Sequence, residues 1–391
     1  MGGGELYLGW RSALLGAAIL QLVLLATALA FGPGARVAER LLAALLTVVA
    51  GLLVPYAIGF AGFYDVWRGL TFLPVALSLA VGPLLWAYAS ALDDGRPPVR
   101  LGLHLAAPAL QFAYGFICFL LPLSAKWAWY TGGHRDWIDP ALEAATLASL
   151  LGYAWAIHGV LQRRRARLAD ARSDDDRFAA GWLRGVLAAI VLARALHLGF
   201  GAWSALAGGI DFFQQTGHYL AIAAIGLWLG VAGWRHSALP LPLTPPGVPE
   251  AAPDPRPAPD WRAEGLEVER RTREGEWWRR PDLSLPTLAR QLGTNTGRLS
   301  RAINLGLGVN FSAFVNGLRA EAVAGALRDR PQVELLDLAF EMGFASKASF
   351  NRAFRARYGM APSDWRRSVS ESDFSPPPTE MRRSMEDPAA V

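Results

Sequence analysis

The alternation of apolar and polar positions divides the chain into regimes. Between Trp10 and Trp234 seven apolar stretches follow one another, at 10–31, 41–60, 70–92, 101–121, 141–161, 182–203 and 217–234. Each holds about twenty residues, the length that crosses about 30 Å of hydrocarbon at 1.5 Å per residue. Soluble core helices could imitate one or two of these, but seven in succession predict a seven-helix transmembrane domain over 1–234. The composition then changes. Nine prolines fall between Pro240 and Pro259, which predicts an extended tether over 235–260 with no core of its own. From 261 to 368 apolar residues recur at spacings of three and four, the period of amphipathic helices. A helix is expected from Trp261 to Arg280, ended by Pro281, with Trp277 and Trp278 packing onto the helices that come after it. The Ser- and Pro-rich end, 369–391, reads as a disordered tail. The fold class expected is all-α.

Within the third regime one helical pattern occurs twice. The first copy runs LPTLARQLGTNTGRLSRAI, with Ala289, then Gly293, then Leu299 and Ile303. The second runs LLDLAFEMGFASKASFNRAF, with Ala339, Gly343, Phe350 and Phe354. In each, a short amphipathic helix stops at a glycine and a second starts from a polar cap, Asn295 or Ser346. The small residue allows a close helix crossing, and the glycine can take the positive φ of a tight turn. This is the grammar of the helix-turn-helix, whose second helix enters the major groove. Two copies with their alanines fifty residues apart are a much stronger signal than one. Phe314, Phe340, Phe344, Phe350, Phe354 and Trp365 are expected in the core. Asn316 and Arg319 are expected to tie the helix between the copies.

On the segments LSLPTLARQLG, LSRAIN, NFSAFVNGLRAEAV, DLAFEMGF and FNRAFRARYGMAPSDWR, the region resembles the DNA-binding domain of AraC/XylS-type transcriptional regulators. The resemblance implies two recognition helices joined rigidly by a helix over 311–327. Together they would read successive major-groove faces of double-stranded promoter DNA about 34 Å apart. It implies that the first presents Thr296, Gly297, Arg298, Ser300 and Arg301, and the second Lys347, Ala348, Ser349 and Arg352. Arg355 and Arg357 are placed for phosphates, which set register without carrying sequence. Gly297 and Ala348 are smaller than the contact residues many members carry. Members usually pair this domain with a soluble effector-binding module; here an apolar domain stands in its place. RNA polymerase, an unidentified small-molecule or envelope signal, and a second copy of the chain are the partners left open.

Composition sharpens this. The chain is 52% hydrophobic and 18% charged, too apolar for an ordinary soluble protein. Between Leu283 and Ser368, twelve Lys and Arg stand against six Asp and Glu, a local excess of six positive charges suited to phosphates. The first residues, MGGGELYLGWR, lack the basic region of a secretory signal, and Leu6 stands where myristoylation wants Ser or Thr. With the C-terminus in the cytoplasm and seven crossings, the N-terminus lies outside. The inside loops then hold ten basic residues (Arg36, Arg40, Arg96, Arg100, Arg163, Arg164, Arg165, Arg167, Arg172 and Arg177) and the outside loops three, Arg68, Lys126 and Arg135. That asymmetry agrees with a bacterial inner-membrane protein whose DNA-binding domain faces the cytoplasm. The run QRRRAR at 162–167 reads as a topology anchor touching anionic lipid, and Asp174–Asp176 as a solvated loop. The aromatic segment 122–140 reads as an outside loop in the interfacial belt, with a ligand-facing lid as the alternative.

Charge inside the spans is costly and invites a function. Arg194 and His197 share a helix face, with His104, His158, Asp211 or His218 as partners in reach. They are the candidate intramembrane sensing residues, against a purely structural polar contact. The one cysteine, Cys118, excludes a disulfide within the chain and a cysteine-based zinc site. No nucleophile–base arrangement or metal-ligand spacing is present, so no catalytic residue, metal or cofactor is expected. The reading is a membrane-anchored transcription regulator. The alternative is a membrane receptor or transport-like protein whose C-terminal helices are only a protein-interaction module.

Overall fold

The computed structural model describes residues 6–33, 35–178, 180–207, 216–237, 259–330 and 332–372. The fold is all-α, 82% helical and without strands among the described residues. The chain forms two compact units. One comprises 1–164 with 180–241, the other 165–179 with 242–391. The expected tether lies, apart from its ends, outside the described residues, and so does the tail beyond Ser372.

The first unit is built of α1 (Trp10–Phe31), α2 (Val37–Phe60), α3 (Val81–Asp94), α4 (Ala106–Leu120), the greater part of α5 (Asp139–Ala171), α6 (Trp182–Ala207) and α7 (Thr216–Ser237). Helix α2 starts from a capping box in which the Glu39 carboxylate accepts the Arg36 amide at 2.7 Å. Its core is aliphatic: Leu15, Leu22, Leu42, Leu46, Leu53 and Leu85 are fully buried. Helix α7 approaches α1 and α2 closely through glycine. A Cβ at Gly226 would strike Val49, and one at Gly233 would strike Leu42. Small residues at crossings are how helices pack where lipid offers no hydrophobic drive. The outward faces are apolar too, with Leu20, Leu24, Leu110, Ile117, Trp155, Leu192 and Leu196 exposed. A helix apolar all round suits a membrane rather than water.

Among the described residues, five helices are long and apolar enough to cross a bilayer: Trp10–Phe31, Val37–Phe60, Leu123–Ala171, Trp182–Gly199 and Thr216–Ser237. The third and fourth expected stretches are not continuous spans. Stretch 70–92 breaks at Phe72, whose φ is 66°, and at Pro74, so that only the shorter apolar helix Ser78–Leu92 remains. Stretch 101–121 splits into Leu101–His104 and the 15-residue α4. Pro108 has no N–H to give the His104 carbonyl, and the helix breaks there. The expected loop 122–140 is helical instead. It forms Leu123–Trp129 and a further segment, Tyr130–Ile138, kinked at Gly132 (φ −115°, ψ −107°), before α5, with Lys126 buried and donating to the Gly69 carbonyl at 2.8 Å.

The second unit contains α8 (Trp261–Glu274), α9 (Leu285–Leu292), α10 (Thr296–Arg301), α11 (Phe311–Asp329), α12 (Leu335–Glu341), α13 (Lys347–Tyr358) and α14 (Pro362–Ser372). Helix α8 ends at Gly275, six residues early. Glu276 turns left-handed at φ 49°, and Trp277–Arg279 is a separate 3-10 turn that carries Trp278 into the core. Helix α11 runs through that core, which includes Leu288, Leu299, Ile303, Val315, Leu338, Phe344, Phe350 and Phe354. Phe340 is not part of it. On α12, Leu338 and Ala339 are the inward positions, and Phe340, one step round the helix, is 47% exposed. Trp365 packs beside Tyr358, ring centroids 4.5 Å apart.

Candidate nucleic-acid interface

Both copies of the repeated pattern close in the same way. Helices α9 and α12 each end at a glycine with positive φ, Gly293 at 69° and Gly343 at 88°. In each, the amide after the glycine donates to the alanine carbonyl five residues back, Thr294 to Ala289 at 2.9 Å and Phe344 to Ala339 at 3.0 Å. That is the Schellman closure. Asn295 then caps α10 by accepting the Arg298 amide at 2.8 Å, and Ser346 caps α13 by accepting the Ser349 amide at 3.1 Å. Two helix-turn-helices result, α9–α10 and α12–α13, on either side of α11.

Of the residues expected to face DNA, Arg298, Arg301, Lys347, Ala348, Arg352, Arg355 and Arg357 are exposed, while Thr296, Gly297 and Ser300 are half-buried. Ser349 departs from the expectation. It is 4% exposed, and its hydroxyl donates to the Ser346 carbonyl at 2.9 Å, so it belongs to the cap and not to the outer face. Three of the exposed arginines, Arg298, Arg352 and Arg357, are held by acids. Arg298 is bidentate to Glu264 of α8, at 2.7 and 3.0 Å, and Arg357 pairs with Glu321 at 2.5 Å. Arg301 lies over the Trp261 ring. Exposed pairs of this kind contribute about 0–1 kcal/mol and can exchange for phosphate or a base edge.

Arg352 pairs with Asp176, from the turn between α5 and α6. Residues 165–179 belong to this second unit, and of the acidic run Asp174 and Asp175 are buried and Asp176 half-buried, rather than solvated as expected. The Ser173 amide and hydroxyl donate to the Leu283 carbonyl at 3.1 and 2.9 Å, and Arg172 forms an antiparallel bridge with Ser284. Ser312 donates to Asp175 at 3.0 Å. Asn316 and Arg319 do tie the unit together, as expected, and they also reach this turn. Asn316 donates to the Ser173 carbonyl at 3.0 Å. Arg319, with no exposed surface, donates to the Trp278 and Arg280 carbonyls, the Asn316 side chain and the Ser173 hydroxyl. Burial lowers its pKa to about 10, with Asp174 and Asp282 opposing. Burial likewise pushes the Asp175 carboxyl above the usual range, as does Asp176, against the Ser312 hydrogen bond and the charges of Arg352 and Arg165. A cleft of about 600 Å³, lined by Arg165, Asp175, Glu321, Arg352 and Arg357, opens beside the turn. No local sequence signal announced this docking, because the acids and their partners lie far apart in the chain.

In the first unit, Arg194 pairs with Glu143 of α5, a partner the sequence reading missed, and His197 stacks on His218, centroids 4.3 Å apart. His104 bonds Tyr153 and His158 bonds Gln162 instead; Asp211 lies outside the described residues. Among the described residues, the buried Arg194 Nε has no hydrogen-bond partner. These groups line a cavity of about 570 Å³ with Tyr56, Gln111, Thr146 and aliphatic residues of α2 and α7. That size suits a small molecule. Among the described residues no cluster could hold a metal ion.

No solved structure matches the chain. A family model described as a helix-turn-helix domain matches residues 288–368, the span from α9 through both helix-turn-helices into α14. With two such motifs closed alike around one helix, this part of the chain is an AraC-type DNA-binding domain, and the protein is a DNA-binding transcription regulator.

Proposed function

We propose that the protein is a membrane-anchored regulator that binds promoter DNA through α10 and α13 and takes its signal in the apolar unit. The observation that carries this is the union, in one chain, of helices apolar on both faces with an AraC-type domain. The apolar unit crosses the bacterial inner membrane seven times, with the N-terminus outside and the DNA-binding domain in the cytoplasm. The two short helices Ser78–Leu92 and Ala106–Leu120 complete the count with their flanking segments. The domains run 1–234, apart from the segment 165–179 that belongs to the second unit, and 261–368, joined by the tether.

Arg298, Arg301, Lys347 and Arg352 read bases, Thr296, Gly297, Ser300 and Ala348 line the same surface, and Arg355 and Arg357 hold phosphates. The signal is a small amphipathic molecule. Its polar end meets the Arg194 Nε and the stacked His197 and His218, and its apolar part meets the aliphatic wall of the cavity. RNA polymerase and a second copy of the chain are its partners at the promoter.

The chain in lipid nanodiscs should retain specific duplexes from a random-sequence pool. Reporter fusions after Ser173 and after Arg262 should behave as cytoplasmic, and one after Gly132 as extracytoplasmic. A cytoplasmic signal at Gly132 would sink the seven-span topology. Recovery of no duplex would sink the DNA reading.

A further inference from the structure

The turn 172–178 covers part of the surface assigned to DNA. Its three carboxylates do different work. Asp174 faces back to Arg172, at 2.7 and 3.1 Å, and is 3% exposed. Asp175 is seated on Ser312 at the start of α11. Asp176 takes the Arg352 guanidinium, on the outer face of α13. A guanidinium offers its paired N–H groups to a carboxylate, a phosphate or the O6 and N7 edge of guanine, and one partner excludes the others.

We infer that this acidic turn is a built-in occupant of the second helix-turn-helix, competing with DNA for Arg352. The inference rests on the reading of α13 as a DNA-contacting helix. The anchoring bonds are polar and therefore releasable, since each is exchanged for a bond to water when the turn leaves. Arg319 is the clearest case. Its buried charge is met by two carbonyls, an amide oxygen and the Ser173 hydroxyl, with no carboxylate in hydrogen-bond contact among the described residues, so undocking trades the Ser173 bond for water.

The test uses the full chain in lipid nanodiscs and a duplex selected from a random-sequence pool by the Asp176→Asn variant. Two measurements are made: hydrogen exchange over 172–178 with and without saturating duplex, and duplex affinity by anisotropy. Without DNA the Ser173 amide should be protected through its bond to Leu283, and saturating duplex should remove that protection. Asp176→Asn should bind about twofold to fivefold tighter than the parent, the worth of one exposed ion pair. Asp175→Asn keeps an acceptor for Ser312 while shedding a buried charge, so it should hold the turn harder and bind DNA more weakly. Asp170→Asn makes the same charge change at an exposed position and should match the parent. A turn that stays protected under saturating duplex would overturn the latch, as would equal affinity changes in Asp176→Asn and Asp170→Asn. A pool from which no variant retains any duplex would instead remove the DNA reading of α13, and the latch with it.

Discussion

The two helix-turn-helices share one local grammar and differ in what holds them. In the first, Gly293 sits in open space, and only its positive φ requires glycine. In the second, Gly343 meets both demands, because a Cβ there would strike the Arg279 carbonyl as well. The recognition helices differ likewise. Helix α10 has six residues and loosens into a π-turn, Ala302–Leu307, against α8, whereas α13 runs twelve residues without a break. The Arg298 of α10 is held by Glu264, 34 residues away in sequence; the Arg352 of α13 is held by Asp176, 176 residues away. The same motif can thus carry an outward arginine that answers to its own domain or to a distant segment.

The widest gap between the copies should appear at the glycines. Gly293→Ala should cost about 1–2 kcal/mol for the left-handed backbone alone. Gly343→Ala adds overpacking and should cost about 2–5 kcal/mol. Hydrogen exchange of the α11 amides in the full chain measures both. Equal losses would mean that the Arg279 carbonyl yields freely and that the two turns are equivalent.

DNA readout should separate the arginines next. Arg298→Ala and Arg352→Ala should each lose about 1–3 kcal/mol on the selected duplex and relax base preference, at positions in different halves of the site. Arg357→Ala should instead weaken binding to all sequences alike and flatten its salt dependence. If Arg352→Ala lowered specific and non-specific binding in the same proportion, Arg352 would belong with the phosphate contacts.

The smallest effect expected is one of pH, confined to the second copy. Burial raises the docked Asp175 carboxyl above its ordinary 3.8, with Asp176 adding to the shift and Ser312, Arg352 and Arg165 opposing it. A raised value means that the docked state favours the protonated acid. That contribution is fully present below the ordinary value and is lost as pH rises through the docked one. Protection of the Ser173 amide, corrected for intrinsic exchange, should therefore decline from acid toward neutral pH, and Asp175→Asn should remove that slope. A slope that persists in the variant would assign the titration to another group.

The sequence by itself determined whatever depends on short-range periodicity. Runs of about twenty apolar residues mark membrane-type helices, because helix rise and bilayer thickness fix that length. The Ala-to-Gly spacing, the caps Asn295 and Ser346, and the aromatic repeat from Phe344 to Phe354 mark the helix-turn-helices, because caps, turns and helix faces are local chemistry. The same local rules failed where a proline was passed over. Pro74 and Pro108 interrupt stretches whose average composition looks continuous. Tertiary structure alone decided the pairings. Glu143 with Arg194, Asp176 with Arg352 and the four-way seat of Arg319 join residues far apart in the chain, and nothing in a window of neighbours encodes such distances. Phe340 and Ser349 show the same limit at a finer scale. Their residue types predict one face of the helix, and only packing around α11 settles which face is inside. Asp174, Asp175 and Asp176 are the clearest case: a charge run is solvated by default, and only a complementary polar surface brought to it by the fold could bury it.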